Sequence, residues 1–161
     1  MESRVDQVAD FAEAPHSITQ AKVDDKGRVK LPAESLEWCK NSNILKVFIT
    51  TLDERSVRVY PIPVWKSTLN VLESPGEHAE EGAAMAFLAK VYGGDADIDA
   101  QGRVLLPAPL RNLLQLESQP VWVEHLGNRI DLTTKPVYDE LLAAARANLP
   151  AKVALFRKLG V

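Results

Sequence analysis

The chain has 161 residues, of which 46% are hydrophobic, so it is long enough to bury the core of one compact domain or of two closely joined ones. Its 19 basic and 22 acidic residues give a net charge of −3, which argues against a protein that binds polyanions over its whole surface. Any nucleic-acid site must therefore be local. No apolar run approaches the roughly 20 residues of a membrane span, and one cysteine excludes an intrachain disulfide. Because the N-terminus also lacks a basic segment followed by an apolar stretch, we expect a cytoplasmic protein. No Cys/His cluster has metal-ligand spacing, so we expect no structural metal, and we expect no cofactor.

The first half of the chain alternates predicted strands and helices. Its first dozen residues lack periodicity and predict a mobile arm. Pro32 stands where a strand must stop, and a short helix should follow it. Two strands are expected at residues 45–51 and 56–60, then a helix at 65–72 and, after the break Ser74-Pro75-Gly76-Glu77, an Ala-rich helix at 80–91.

The second half repeats the first. Residues 98–108, Ile-Asp-Ala-Gln-Gly-Arg-Val-Leu-Leu-Pro-Ala, match residues 23–33, Val-Asp-Asp-Lys-Gly-Arg-Val-Lys-Leu-Pro-Ala. A helix should follow Pro107, with strands at 120–125 and 129–133, a helix at 137–148 and a short amphipathic tail that reaches residue 159. The chain is an internal duplication.

The alignment of the two halves extends beyond the motif. Val57 and Val59 align with Ile130 and Leu132, and we align the run Phe48-Ile49-Thr50 with Val121-Trp122-Val123. Each half is too small to bury much apolar surface alone, and intertwining repeats is a usual remedy. We therefore expect the two halves to share one core.

Each copy of Asp-x-x-Gly-Arg makes physical sense as a tight connection between strands. The Asp side chain can accept backbone N–H bonds in an Asx-turn, and glycine can adopt positive φ. Asp24 and Asp99 could also orient the guanidinium groups of Arg28 and Arg103 before a ligand arrives. A self-contained ion pair that only fixes the turn is the equally weighted alternative.

A local basic patch lies in the first copy of the motif. Lys26, Arg28 and Lys30 alternate with Gly27 and apolar residues, so a strand here places its cations on one face. A solvated strand face is the ordinary interpretation of such a triplet, but the repeated arginine favours a binding surface. The two arginines suit guanine O6 and N7 in the major groove, whereas the lysines suit phosphate contacts.

Enzymatic candidates are weak. Cys39 and the three histidines, His16, His78 and His125, are the raw material for catalysis, and none of them sits in a nucleophile motif. A histidine on a strand, such as His125, is far more often structural than catalytic. We predict no catalytic residues and no metal-binding residues.

The sequence resembles a known protein family. The duplicated Asp-x-x-Gly-Arg-Val-x-Leu-Pro-Ala turns, together with Tyr60-Pro61-Ile62-Pro63-Val64-Trp65, look like the MraZ family of bacterial proteins. The resemblance implies two AbrB-like halves with a swapped-hairpin β fold, ring-like homo-oligomers, and binding to repeated double-stranded DNA sites at the promoter of the division and cell-wall gene cluster, usually as a repressor. By motif position the DNA-facing residues are Asp24, Arg28, Asp99 and Arg103, to which the basic patch adds Lys26 and Lys30.

Departures from the family pattern affect the charge near the turns. Glu34, Ser35 and Leu36 stand where members often carry a basic and aromatic pair and another arginine, which removes positive charge near the first turn. Gln101 and Leu105 replace the two lysines in the second copy, so we expect the first turn to contribute more to DNA contact. An AbrB-like protein-interaction or antitoxin-type module with reduced DNA affinity is the alternative function.

The fold class that we predict is mixed α+β and β-rich, with two AbrB-like swapped-hairpin repeats around one core and with linking and C-terminal helices. The boundaries are a first repeat at residues 17–66, a helical linker at 67–93, a second repeat at 94–145 and a C-terminal helical tail at 146–161. The predicted function is that of a sequence-specific transcriptional regulator that binds promoter DNA as a homo-oligomer, in the cytoplasm at the nucleoid and not at a membrane.

Overall fold

The computed structural model describes residues 11–161, and the chain forms a β-rich α+β structure in that range. The first half contains β1 (Thr19–Lys22), β2 (Arg28–Lys30), α1 (Ala33–Asn41), β3 (Lys46–Thr50) and β4 (Val57–Pro61), followed by α2 (Ile62–Leu72) and α3 (Ala79–Tyr92). The second half contains β5 (Gly94–Asp97), β6 (Arg103–Leu105), α4 (Ala108–Leu114), β7 (Pro120–Leu126), β8 (Arg129–Thr134), α5 (Lys135–Arg146) and α6 (Leu149–Arg157).

The strands and helices predicted from the sequence are confirmed within a few residues. The largest differences are helix starts, because α2 begins at Ile62 and α5 at Lys135, before the predicted positions. In both cases a proline, Pro63 or Pro136, occupies the first turn of the helix, where its missing N–H group has no helical partner to lose. Proline therefore starts these helices earlier than their apolar periodicity indicates.

Strand pairing joins the two halves in one sheet. The order of the six-stranded sheet is β1-β7-β8-β4-β3-β5, so β1 from the first half pairs with β7, and β5 from the second half pairs with β3. A separate two-stranded ribbon pairs β2 with β6, and every one of these pairs is antiparallel. One apolar cluster takes buried side chains from both halves, including Val29, Ile49, Val104 and Val123. The prediction of a shared core is confirmed.

An approximate two-fold relationship runs through the middle of the sheet. Val57 lies opposite Leu132 and Val59 opposite Ile130, as the sequence alignment of these residues requires. The alignment of Phe48-Ile49-Thr50 with Val121-Trp122-Val123 is wrong by one residue. Phe48 corresponds to Trp122, because Phe48 stacks on Trp65 with ring centroids 4.6 Å apart while Trp122 stacks on Tyr138 at 4.5 Å. A shift of one residue would reverse the buried and outer faces of a strand, so burial fixes this register.

Helices cover the outer face of the sheet unequally. In the first half, Tyr60, Trp65 and Ala89 form a buried cluster beneath α2 and α3. The two helices approach so closely that a Cβ on Gly82 would lie 2.0 Å from the carbonyl oxygen of Leu72. In the second half, α5 packs through Tyr138, but neither α5 nor α6 has a buried residue.

The predicted mobile arm falls mostly on residues 1–10, which lie outside the described residues. For Phe11 and Ala12 the prediction is wrong. The Trp38 indole Nε1 donates a hydrogen bond to the Ala12 carbonyl oxygen at 2.9 Å, and the Ala12 backbone N–H donates to Ser42 Oγ at 2.9 Å. The ring of Phe11 also stacks on Trp38, with centroids 6.0 Å apart.

Candidate nucleic-acid interface

The first Asp-x-x-Gly-Arg turn is a closed hydrogen-bonded unit. Asp24 Oδ1 accepts the backbone N–H groups of Lys26 and Arg28 at 3.0 and 2.8 Å, and Asp24 Oδ2 accepts Arg28 Nε at 2.9 Å. Gly27 has a φ of 84°, in the left-handed region that favours glycine. The Asp side chain thus fixes both the turn and the arginine, the two roles that the sequence left open.

The second turn has the same geometry. Asp99 Oδ1 accepts the N–H groups of Gln101 and Arg103 at 2.9 and 2.8 Å, and Asp99 Oδ2 accepts Arg103 Nε at 3.0 Å. Gly102 has a φ of 77°. In each ion pair the arginine uses Nε, and within residues 11–161 the Nη atoms of Arg28 and Arg103 form no hydrogen bond. The planar end of each guanidinium therefore remains available to a ligand.

Hydrogen bonds keep both carboxylates ionised. The backbone N–H of Arg28 is the main cause that lowers the pKa of Asp24 below its usual value, and the guanidinium of the same residue adds to the effect. The pKa of Asp99 is lowered in the same way by Arg103. Each carboxylate therefore stays ionised, and can hold its arginine by charge, to a lower pH than an ordinary Asp does.

The ribbon of β2 and β6 presents these arginines on one solvent face. Val29 and Val104 are cross-strand partners and are buried, so the residues on either side of them point outward. Arg28 lies opposite Leu105, which is 53% exposed, and Lys30 lies opposite Arg103. The alternation predicted for Arg28 and Lys30 is confirmed.

The pairing changes the expected balance of charge between the turns. Because the strands are antiparallel, Lys30 extends beside Arg103 in the second half, and Arg28 faces Leu105. The premise that the second turn lacks a lysine neighbour is wrong. Lys26 belongs to the first turn, and Lys30, which shares the outer face of β2 with Arg28, lies directly opposite Arg103, so both arginines have a lysine nearby.

Arg111, which no sequence motif singled out, supports the first turn from below. Its Nε donates to the Leu106 carbonyl oxygen at 2.9 Å, and its Nη1 donates to the Lys26 carbonyl oxygen at 3.3 Å and to Glu117 Oε1 at 3.1 Å. A Cβ on Gly27 would lie 2.2 Å from Arg111 Cδ. The sequence signal that could have identified Arg111 is its place four residues after Pro107, because Leu36 holds the equivalent place four residues after Pro32.

Leu36 takes the corresponding place under the second turn. A Cβ on Gly102 would lie 2.4 Å from Leu36 Cδ1, so α1 supports the second turn and α4 supports the first. The expectation that Leu36 removes charge near the first turn is therefore wrong. The first turn rests on the Arg111–Glu117 ion pair, and the second rests on an apolar side chain.

Two of the residues considered for catalysis, His125 and Cys39, lie in buried or half-buried surroundings. His125 Nε2 lies 2.8 Å from Ser35 Oγ, but Ser35 is 1% exposed and a substrate cannot reach it. Burial raises the pKa of the Cys39 thiol to about 11, which leaves it protonated and unreactive at neutral pH. Among residues 11–161, no group of His, Cys, Asp and Glu side chains could hold a metal ion. The helices in this range also lack the length and apolar character needed to cross a bilayer.

Comparison with known proteins gives consistent relatives. The chain is 31% identical over 125 residues to the transcriptional regulator MraZ of Anaeromyxobacter dehalogenans (strain 2CP-C), covering 76% of this chain and 85% of that protein. It is 36% identical over 103 residues to the MraZ of Acidobacterium capsulatum, covering 62% and 68%. For the MraZ of Nitrosococcus oceani the identity is 29% over 148 residues, covering 89% and 95%.

Two further comparisons carry no weight. No protein-family model matches the chain. The solution structure of PHS018 from Pyrococcus horikoshii is 16% identical, covers 73% of this chain and 87% of that one, and superposes with a TM-score of only 0.30. The identity and coverage of the named relatives, and not these comparisons, establish that the chain belongs to the MraZ family of transcriptional regulators.

Proposed function

We propose that this chain regulates transcription by binding double-stranded promoter DNA through the solvent face of the β2–β6 ribbon. The observation that carries the proposal is the pair of equivalent arginines, Arg28 and Arg103, each held by an aspartate through Nε, with Nη atoms that form no hydrogen bond to residues 11–161. The Nε contact alone ties each arginine to its turn, so the Nη atoms are not needed for the turn and can serve a ligand.

The geometry suits the major groove. A two-stranded ribbon fits into this groove, and an arginine can donate two hydrogen bonds to O6 and N7 of guanine. Lys30 lies on the same face, and Lys26 lies in the exposed part of the first turn, so both suit phosphate contacts that position the ribbon without selecting sequence. Asp24 and Asp99 contribute by holding the arginines before DNA arrives.

Self-assembly strengthens this mode of binding. The protomer is acidic overall and presents few cations, so its single contact with DNA is weak. A ring-like homo-oligomer would present many ribbons to repeated promoter sites and would raise the local concentration of each contact. The relatives named transcriptional regulator MraZ support a role in transcription. We propose, as the family resemblance implies, that this chain represses the division and cell-wall gene cluster at the nucleoid.

The duplicated architecture supports two AbrB-like swapped-hairpin repeats as the DNA-binding unit. The exchange of β1 and β5 between the halves is the observation in favour. The proposed segments are residues 17–66 and 94–145 for the repeats, 67–93 for the helical linker and 146–161 for the tail.

Fluorescence anisotropy with the DNA upstream of the chain's own gene tests the proposal. Wild type should bind this duplex more tightly than a shuffled duplex of equal length, and the double variant Arg28→Ala/Arg103→Ala should lose that preference. Circular dichroism and light scattering must show an unchanged fold and mass. If the double variant binds like wild type, the turns have a structural role only. A protein-interaction or antitoxin-type module then becomes the better account.

A further inference from the structure

The C-terminal segment differs in charge from the rest of the chain. Residues 141–161 contain no acidic residue and four cations, which are Arg146, Lys152, Arg157 and Lys158. Because the whole chain has a net charge of −3, the preceding 140 residues carry −7. The tail is therefore attracted to acidic surfaces, including those of another copy of this chain.

The same segment has an uncovered apolar face. Leu149, Val153 and Phe156 lie at positions i, i+4 and i+7 of α6, and they are 48%, 45% and 50% exposed. Leu155, Leu159 and Val161 are more exposed still. A helix of nine residues is marginal alone and gains its stability from packing an amphipathic face. Such a face on the surface marks an interaction site.

The outer face of α3 has the complementary character. This helix buries Gly82, Ala86 and Ala89 against the body of the protein. On its solvent side Phe87 is 70% exposed and Val91 is 45% exposed. Acidic residues surround its N-terminal end, namely Glu77, Glu80 and Glu81, and all of them are exposed. Apolar and acidic groups therefore share one surface, as apolar and basic groups do on α6.

These two surfaces do not meet within one chain. In the described residues no hydrogen bond or ion pair joins α3 to α6, and the polar contacts of α6 with the body are those of Lys152 Nζ with the carbonyl oxygens of Ala144 and Ala145. We propose that α6 of one protomer docks on the outer face of α3 of a second copy of this chain. The proposal names the interface of the self-assembly put forward under the proposed function, and it rests on that assembly.

A second copy explains more than other acidic partners do. DNA phosphates would satisfy Arg157 and Lys158 but would leave Phe156 in water, and an anionic bilayer would cover α6 but leave Phe87 exposed. The pairing of α6 with α3 covers both apolar faces and both sets of charges. Because the contact uses different surfaces on the two protomers, it is heterologous, and repetition of it forms a ring when the rotation closes.

Mixing two defective proteins tests this geometry. Phe156→Asp damages the tail and leaves α3 intact, whereas Phe87→Asp damages α3 and leaves the tail intact. In size-exclusion chromatography with light scattering, each variant alone should run as a monomer of 17.8 kDa. Their equimolar mixture should form a heterodimer of twice that mass, since exactly one intact contact is available per pair. The matched control is Leu45→Asp, which makes the same kind of change at a side chain that is 80% exposed outside both surfaces and should keep the mass of wild type.

Charge reversal provides a second and gentler test. Arg157→Glu/Lys158→Glu and Glu80→Lys/Glu81→Lys should each reduce the mass, and the chain that carries all four changes should recover it. If tail and α3 variants keep the mass of wild type, or if the mixture stays monomeric, this interface is wrong while the proposed self-assembly stands. If wild type is itself monomeric, the proposed assembly fails as well. Tail variants that keep their mass but lose binding to a nonspecific duplex or to anionic vesicles would assign the tail to a polyanion instead.

Discussion

Lys30 and Arg103 come from different halves of the chain and stand side by side on the solvent face of the β2–β6 ribbon. Two adjacent cations on an exposed ribbon repel each other in the free protein, and a phosphate near both relieves the repulsion. The acidic protomer thus places two adjacent cations where the proposed function needs them.

Lys30→Ala should weaken binding to the specific duplex and to unrelated duplexes by the same factor. The reason is that a phosphate contact carries no sequence information. The slope of log K against log salt should flatten by about one unit per engaged protomer. Lys66, an exposed lysine on α2, supplies the control, since Lys66→Ala should leave the slope unchanged. Loss of affinity for the specific duplex alone would show that Lys30 contacts a base.

Arg28→Ala and Arg103→Ala should each relax the preference at a guanine, at a cost of about 1–3 kcal/mol in specific binding. We expect similar costs for the two arginines, because Lys30 lies near both of them and both have the same aspartate-held geometry. Competition binding with single-base-pair variants of the site would measure this. A much larger loss for Arg28 would restore the asymmetry that the sequence alone suggested.

Asp24→Asn should reproduce part of the effect of Arg28→Ala without a direct loss of a DNA contact. The amide can still accept a backbone N–H, but it no longer holds the guanidinium by charge. The association rate should change little and the dissociation rate should rise. Asp99→Asn should have the same effect at the second turn. Removing a negative charge beside the ribbon favours the attraction of DNA. A slower association rate for either variant would therefore contradict this account.

The contact between Gly27 and Arg111 can be measured by a double-mutant cycle. Gly27→Ala should reduce the free energy of unfolding, because it places a side chain at a φ of 84° and displaces Arg111. The left-handed backbone alone costs about 1–2 kcal/mol. Arg111→Ala should relieve only the displacement, which predicts a coupling of about 0.5–3 kcal/mol in urea unfolding. The matched cycle at the second turn combines Gly102→Ala with Leu36→Ala. If the effects of Gly27→Ala and Arg111→Ala on the free energy of unfolding are additive, Arg111 moves aside at no cost.

The pH dependence of stability should report His125. Burial lowers the pKa of His125 below its ordinary value of 6.5. As pH falls from about 7 to about 5, the unfolded chain therefore binds this proton before the folded chain does, and the free energy of unfolding decreases. Asp24, Asp53 and Asp99 do not titrate in this window, because the pKa of each is lowered from a value of 3.8. His125→Gln should flatten the dependence between these pH values, and an unchanged profile would exclude His125 as its source.

Local structure was predictable from the sequence because local physics determines it. The burial of Val29 between two outward cations follows from strand alternation, and the helix after Pro32 follows from the chemistry of proline. The Asp24 turn needed only the spacing of its acceptor, glycine and arginine. These features depend on neighbours within a few residues.

Which residues of the site lie next to each other was not predictable, because this depends on contacts between the two halves of the chain. The duplication indicates that Arg28 and Arg103 are equivalent, but it does not indicate that Lys30 faces Arg103 or that Arg111 lies under Gly27. The aligned position of Phe48 was wrong for a related reason, because the loss of single residues in two loops can be located only by the stacking partners Trp65 and Tyr138.

The exchange of strands has a consequence for synthesis of the protein. Thr19 in β1 pairs with Val123 in β7, so β1 leaves the ribosome long before its partner exists. At roughly 5–20 residues per second, the wait is on the order of 5–20 s. An unpaired edge is a template for wrong association during that time. The sequence of β1, Thr-Gln-Ala-Lys, is short and polar and ends in a lysine, and these properties make the waiting strand a poor partner for other nascent chains.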